Sequence, residues 1–465
     1  MGSEFEQQVN KKAFQINMDR RLYGTFAEIG AGQEVARRFF SVGGAAGTIA
    51  KTISAYDMTF SDAIYGASGR YVSRARLDTM LTHEADLLIE RLDKTVGAER
   101  QFFAFADTVA ARSFRRHDES HGWMGLRFQH APRAPFSEVI LHVRMLDAEN
   151  IDQQQALGIV GVNLIHGAYH LADHPEKFIG SLVDDLAPNR IIIDMIRLAG
   201  PAFPGIDNRI MSLQLVVQGL TKATLFRANG EVVQAADAFY KKPLLVERGS
   251  FRPVTLITND MLDCARRQFE KEEGVAGTEP EILMEITMKN LLSTGHLDLQ
   301  DFLDRVDMLG ALGRTVLISN YGEFHRLVNY LTIYTDRQIG LPVGIPGMHE
   351  ILDEKFYSDL EGGILEGLGR LFKNGVKLYV YPRLMPNGEV VTADNFNVPP
   401  KLTNLYAHLL KNGFIEGLRD FHPEYLPIRS ADVLALIKNH DSAWETMVPP
   451  EVAQIIKDRR LFGCA

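Results

Sequence analysis

The residues best equipped for chemistry are polar side chains on or just after short apolar runs. Asp107 follows Phe102–Ala106, and His121 opens the stretch that carries Trp123 and Arg127. His142 and Arg144 lie in Val139–Met145, Asp194 and Arg197 in Arg190–Leu198. Histidine and carboxylate side chains supply general acids and bases near neutral pH, and arginine holds phosphate through paired N–H donors. In an open α/β sheet, ligands bind beyond the carboxyl ends of the strands. Asp107, His121, His142 and Asp194 are therefore the catalytic candidates, and Arg127, Arg144 and Arg197 the candidates for gripping an anionic ligand. Buried ion pairing between Asp and Arg explains the same pattern equally well. If the chemistry is phosphoryl or nucleotidyl transfer, Mg²⁺ is expected, with Asp107 or Asp194 as its ligand. His166, His170 and His174 stand at i, i+4 and i+8, a helical metal-ligand spacing with no assignable third ligand; a capping or solvated role is the plainer expectation. In the C-terminal half, Glu285, Thr287, Ser319, Asn320 and Tyr381 occupy equivalent strand-end positions, and Glu361 sits at a helix start.

Two glycine-rich stretches bear on phosphate binding. Gly24-Thr25-Phe26-Ala27-Glu28-Ile29-Gly30-Ala31-Gly32-Gln33 resembles the nucleotide-binding opening of nicotinate and nicotinamide mononucleotide adenylyltransferases, in which Gly-Thr-Phe leads to His-x-Gly-His. Gly24, Thr25, Phe26, Ile29 and Gly32 match. The two histidines, which in that family contact the triphosphate, correspond to Gly30 and Gln33, and neither replaces an imidazolium. The polar Asp19-Arg20-Arg21 just upstream argues against a buried strand before this loop, and a helix N-terminus with close-packing glycines is the alternative. The second stretch, Gly43 to Thr52, ends in Lys51-Thr52. Aligned to G-x-x-x-x-G-K-[ST], both required glycines are alanines, Ala45 and Ala50. A small-residue helix is the plainer expectation, with Lys51 retained as a phosphate ligand beside Gly24, Thr25 and Gln33.

These residues need a scaffold, and the chain has one to offer. Its 465 residues exceed the roughly 250–300 at which single cores stop growing, which implies several domains. At 46% hydrophobic and 23% charged it is compositionally globular. A net charge of −9 argues against general binding to nucleic acid or anionic membrane. Two cysteines, Cys264 and Cys464, rule out a disulfide framework, and no apolar run approaches the ~20 residues of a membrane span. A cytoplasmic home is expected.

Periodicity predicts an α/β fold: a helical N-terminal subdomain, two sets of alternating strands and helices with mostly parallel sheet, and a helical C-terminus. The expected segments are a tag and disordered lead over 1–20, the helical subdomain over 21–97, α/β domains over 98–273 and 281–400, and the helical end over 401–465. Glu273–Pro280, with its small and turn-forming residues, marks the expected boundary. Asn387-Gly388 predicts a hairpin between Leu378–Pro382 and Glu389–Thr392.

Runs such as Leu22–Gly32, Phe103–Asp107, His121–Phe128, Gln153–Asn163, Asp301–Asp304 and Gly362–Phe372 resemble a bacterial family of full-length soluble proteins. Its members carry the labels nicotinate-nucleotide adenylyltransferase and TonB-dependent receptor. The first label implies a nucleotide ligand, ATP or NAD-related. The second conflicts with the lack of regular alternating strands of ~10 residues. The sequence thus points to an enzyme, or a former enzyme, that binds a nucleotide or another small phosphorylated metabolite and forms a homo-oligomer. The rival expectation is a non-catalytic, self-assembling scaffold or filament, motivated by Trp444, Met447, Val448 and Phe462 near an end that should be solvated.

Overall fold

The computed structural model describes residues 7–111 and 120–464. The chain divides into two compact units, Met1–Lys222 and Ala223–Ala465, each of α/β type. Among the described residues no helix is long and apolar enough to cross a membrane.

The first unit runs α1 (Gln7–Met18), β1 (Leu22–Ile29), α2 (Glu34–Ser41), β2 (Ile49–Ile53), α3 (Met58–Tyr65), α4 (Arg74–Val96), β3 (Gln101–Ala110), β4 (His121–Phe128), β5 (Ser137–Met145), α5 (Asn150–His170), α6 (Pro175–Ser181), β6 (Ile191–Ala199) and α7 (Asn208–Val217). Its six strands lie in the order β2-β1-β3-β4-β5-β6. The first three are parallel, and the rest of the sheet is antiparallel. Because side chains alternate along a strand, Phe26, Phe103, Phe105, Met124, Leu126, Leu141 and Val143 all face one side, where they meet α1, α2 and α5 in a single core. Burying each such side chain contributes roughly 1.5–3 kcal/mol. The other side of β1, β3 and β4 lies under α4, whose Leu77, Met80, Leu81, Ala85 and Leu88 repeat at three- and four-residue steps. Ser73 caps α4 by accepting the Arg76 N–H at 3.2 Å.

The N-terminal part departs from the sequence expectation in two ways. The span 21–97, expected to be helical, contains β1 and β2; β1 pairs with β3 on one side and with β2 on the other. Gly24 explains why β1 hides: a Cβ there would run into the Phe103 ring, so glycine serves strand packing. Every residue of β2 is half-buried, so it lacks the apolar alternation that identifies strands. Within the span 1–20, excluded as a lead, residues 7–18 form α1. Its Val9, Ala13 and Ile16 are fully buried, and Asn17 donates to the carbonyls of Phe39 and Gly43 at 2.8 and 2.7 Å.

The second unit comprises β7 (Ala223–Phe226), β8 (Val232–Val233), α8 (Ala235–Phe239), β9 (Leu244–Arg248), α9 (Leu256–Phe269), β10 (Glu281–Thr287), α10 (Met288–Leu291), α11 (Leu299–Ala311), β11 (Thr315–Ser319), α12 (Phe324–Tyr334), β12 (Ile339–Gly344), α13 (Ile345–Ile351), α14 (Gly363–Leu371), β13 (Lys377–Tyr381), β14 (Arg383–Leu384), β15 (Val390–Val391), α15 (Thr403–Lys411), β16 (Ile415–Gly417), α16 (Ser430–Lys438) and α17 (Pro450–Arg459). Eight strands form one sheet in the order β16-β13-β12-β9-β10-β11-β7-β8. The run from β16 to β11 is parallel, and β7 and β8 join antiparallel at the edge. Strand β7 already pairs with β11, so the chain enters the second sheet at residue 223. Glu273–Pro280 is accordingly a connection from α9 to β10 inside this unit and not a boundary. The Asn387-Gly388 turn closes a hairpin whose arms are β14 and β15, beginning one residue after the expected first arm. Trp444, Val448 and Phe462 are buried and Met447 is half-buried, which removes the exposed apolar patch that motivated the scaffold expectation.

Candidate functional site

The antiparallel half of the first sheet brings three of the four catalytic candidates into one hydrogen-bonded series. His121 Nδ1 lies 3.1 Å from His142 Nε2, and His142 Nδ1 lies 2.6 Å from Asp194 Oδ1. The three come from β4, β5 and β6 and share the sheet side opposite the main core. Strand β6 needs a bulge to achieve this. His142 pairs with Met195 and Val143 with Ile193, so Asp194 is an extra residue in the ladder. Even-numbered Ile196 and Leu198 face the core after the bulge and odd-numbered Ile191 and Ile193 before it. Asp194 is thereby aimed at His142, the kind of re-aiming for which bulges recur beside active sites.

The proton order along the series follows the state of His142. His142 Nδ1 donates to an ionised Asp194, and when the ring is neutral its Nε2 is an acceptor. His121 then donates from Nδ1, which leaves His121 Nε2 with its lone pair. His142 is fully buried, packed against Trp123 with ring centroids 4.8 Å apart, and His121 is half-buried. Burial pulls the His121 pKa down to about 4; the neighbouring His142 and the positive charges of Arg70 and Arg144 push the same way, while Asp194 opposes them. His121 is therefore neutral at pH 7. Arg144 is its register partner on β5. The strand ends are braced by Gln153, which donates to Ser120 Oγ at 3.1 Å and to the Asp147 carbonyl at 2.8 Å, and by Arg190 on Asp147 at 2.9 Å. The stretch just before His121 that includes His117, Asp118 and Glu119 lies outside the described residues.

The remaining candidates are placed elsewhere. Asp107 sits on the opposite sheet side from Asp194, opposite Glu28 in the register of parallel β1 and β3. It accepts the Ile29 N–H at 3.2 Å. Burial, then the charge of Glu28, drives its pKa well above the ordinary range. Asp107 and Asp194 cannot share a Mg²⁺ ion across the sheet, and among the described residues no group of three or more His, Cys, Asp or Glu is arranged to hold a metal.

Arg127 and Arg197 both bind Glu138, at 3.1 and 2.8 Å, so for this pair ion pairing is what the fold realises. Arg127 is six steps along β4 from His121, about 20 Å of extended chain. The His166 and His170 rings lie tilted to each other with centroids 4.5 Å apart, and His166 Nε2 meets Gln15 Oε1 at 2.9 Å. Burial, followed by His170 and Lys12, lowers His166 to about 4, so the expected charged cap is instead a neutral ring.

Within Gly24–Gln33 the first six residues belong to the buried strand β1 itself and Gly30–Gln33 turn into α2, so a buried strand does precede this turn, contrary to the expectation drawn from Asp19-Arg20-Arg21. Gly30 is at φ +102, and a Cβ there would strike the Val109 carbonyl. The helix N–H groups are nonetheless already taken. The Glu28 carboxylate, from the strand itself, accepts from Val35 and Ala36 at 2.9 Å each, in the place a phosphate would occupy. Gln33 stands at the start of α2 with no capping bond from its side chain, on a cleft of about 360 Å³ shared with Gly32, Arg37 and Gln154. Thr25 and Lys51 meet on the far side of β1, where buried Glu84 accepts from Lys51 at 2.5 Å, Thr25 Oγ1 at 3.2 Å and Tyr65 Oη at 2.9 Å. Lys51 stands within β2 and not after a loop, and its ammonium answers a protein carboxylate. Sequence analysis missed Glu28 and Glu84; Glu28 is a lone acid between Ala27 and Ile29, a signal that would have marked it, whereas Glu84, between His83 and Ala85 with Asp86 beyond, has no such mark.

No protein-family model matches this chain, and no curated protein does. Among solved structures it is similar to the competence/damage inducible protein CihA from Agrobacterium tumefaciens, at 17% identity and a TM-score of 0.25, over 34% of this chain and 93% of that one. It is also similar to a competence-damaged protein (CinA) superfamily member from Klebsiella pneumoniae, at 14% identity and a TM-score of 0.27, over 35% of this chain and 96% of that one.

Proposed function

We propose that the first unit is an enzyme acting on a small phosphorylated metabolite of nucleotide type, with His121 as general base. The supporting observation is the hydrogen-bonded series His121–His142–Asp194; with His142 neutral, His121 Nε2 keeps its lone pair. In a phosphoryl or nucleotidyl transfer, the attacking hydroxyl or water gives its proton to His121 Nε2 as its oxygen bonds phosphorus. The bond from phosphorus to the leaving oxygen breaks, and that oxygen departs with the electron pair. Arg144 and Arg70 would face the phosphate. Asp194 and His142 act through His121 and are positioning residues.

The test is turnover by the full chain of a panel of nucleoside phosphates, NAD-related nucleotides and sugar phosphates, with and without Mg²⁺. His121→Ala should lower kcat by about 10²–10⁴-fold. Asp194→Asn, which imposes the wrong tautomer through His142, should lower kcat with little change in KM and alter the pH profile. No turnover of any panel member, or turnover indifferent to His121→Ala, refutes the proposal.

A further inference from the structure

We infer that the second unit binds a ribonucleoside monophosphate in the crevice between β9 and β12. This site is separate from the His121 series, and its argument begins with strand order. From β9 the sheet grows through β10 and β11 on one side and through β12, β13 and β16 on the other. Connections at the carboxyl ends of β9 and β12 therefore leave in opposite directions, and such a reversal opens a crevice where open α/β sheets take their ligands.

One residue widens that opening. The ladder between β9 and β12 has only the pairs Ile339↔Leu244 and Gly340↔Leu245, whereas the β12–β13 ladder continues to Gly344. The Leu244 N–H bonds the Gln338 carbonyl at 3.0 Å, so residues 338, 340 and 342 turn their backbone groups toward β9. Position 342 is proline, which has no N–H to donate, and the ladder stops before it. Beyond it lies a cavity of about 360 Å³.

The cavity's walls are fixed and its rim is charged. Arg248, at the end of β9, is held by Glu285 at 2.7 and 3.0 Å and donates to the carbonyls of Gly322 and Tyr321 at 2.7 and 3.0 Å. Asn290 Nδ2 holds the Gly249 carbonyl at 3.0 Å. Gly249, Gly322, Gly344 and Gly347 let a ligand approach the backbone. At the rim Lys289 and Glu350 stand 4.0 Å apart with side chains 77% and 50% exposed, close enough to serve one ligand and too loosely paired to resist it. An ammonium answers a phosphate, and a carboxylate accepts from both hydroxyls of a ribose diol.

Size and loop sequence select a mononucleotide over a dinucleotide. The volume is near the low end of the ~300–1,000 Å³ of small-molecule sites. The turn after β9 reads Arg248-Gly249-Ser250-Phe251-Arg252-Pro253, with one glycine where a pyrophosphate-binding turn needs three.

The experiment is calorimetric titration of the full chain with AMP, GMP, CMP and UMP and with the 2′-deoxy form of each, at up to millimolar ligand. At least one ribonucleotide should bind at a single saturable site. Lys289→Ala should weaken it about tenfold or more. Glu350→Gln should bring ribonucleotide affinity down to that of the deoxy form and leave the deoxy form unchanged. Both positions are exposed, so the variants should melt with wild type, and His121→Ala should bind as wild type does. Absence of saturable binding by all four ribonucleotides, wild-type affinity in either rim variant, or loss of binding in His121→Ala overturns the crevice assignment. Loss in His121→Ala would at the same time support the first-unit proposal, so the two fail separately.

Discussion

Replacing Glu28 with glutamine should flatten the pH dependence of the first unit's stability. Glu28 is almost fully buried at the end of β1. Burial, partly offset by the N–H groups of Ala36 and Val35, raises its pKa from 4.5 to about 7. A carboxyl raised on folding keeps its proton in the native state over a range where the unfolded chain has lost it. Its contribution is therefore full below about pH 4.5 and falls away as pH rises through about 7. The interval corresponds to a loss of about 3 kcal/mol. Asp107, raised in the same direction, adds to the slope without changing its sign. In Glu28→Gln this loss disappears, against a constant cost of about 1 kcal/mol for an amide that accepts one backbone N–H where the carboxylate accepted two. The chain has two tryptophans, Trp123 in the first unit and Trp444 in the second, so a Trp444→Phe background makes Trp123 the sole reporter. Urea midpoints of Trp123 emission between pH 4.5 and 8.5 should slope downward for the parent and less steeply for Glu28→Gln, in which Asp107 keeps its own share of the slope. Parallel curves would refute the reasoning.

Two further outcomes follow from the same physics. Lys51→Ala should destabilise the first unit by about 1–2 kcal/mol, because it strands the buried Glu84 carboxylate while Lys51 is itself partly solvated; Lys51→Ala with Glu84→Gln should recover part of this in urea titrations, and a double variant no more stable than the single would contradict the pairing. Removing residues 1–17 should lower the melting temperature of the first unit by several degrees or more, since Val9, Ala13 and Ile16 are fully buried; an unchanged melt by calorimetry would return α1 to the status of a lead.

The strands and helices of the second unit were largely legible because buried parallel strands read as short apolar runs between amphipathic stretches. The first unit was harder for identifiable reasons. Helix α1 buries three small or medium side chains among polar ones, a stripe too thin to dominate the local composition. His121, His142 and Asp194 stood out as polar residues on strands, and their grouping followed from antiparallel neighbours. Which sheet side each faced was not legible. A residue's side depends on parity, and parity after a bulge is reset by a residue that leaves no mark in the sequence. Asp107 and Asp194 look alike in the sequence for that reason. The glycines before Lys51 suggest phosphate, while the Glu84 that claims it lies more than thirty residues away in the sequence.

The bulge in β6 has a consequence for how this site can change over evolutionary time. In a regular strand each position belongs to one side of the pleat, and inserting or deleting a residue exchanges the sides of everything beyond it. Strand β6 keeps its apolar side inward on both flanks because the surplus residue at Asp194 absorbs the offset. Position 194 is thus uncoupled from the alternation that packs the core, and substitutions there can be sampled with the sheet's interior left as it is. The scaffold and the proton-handling series can drift at different rates.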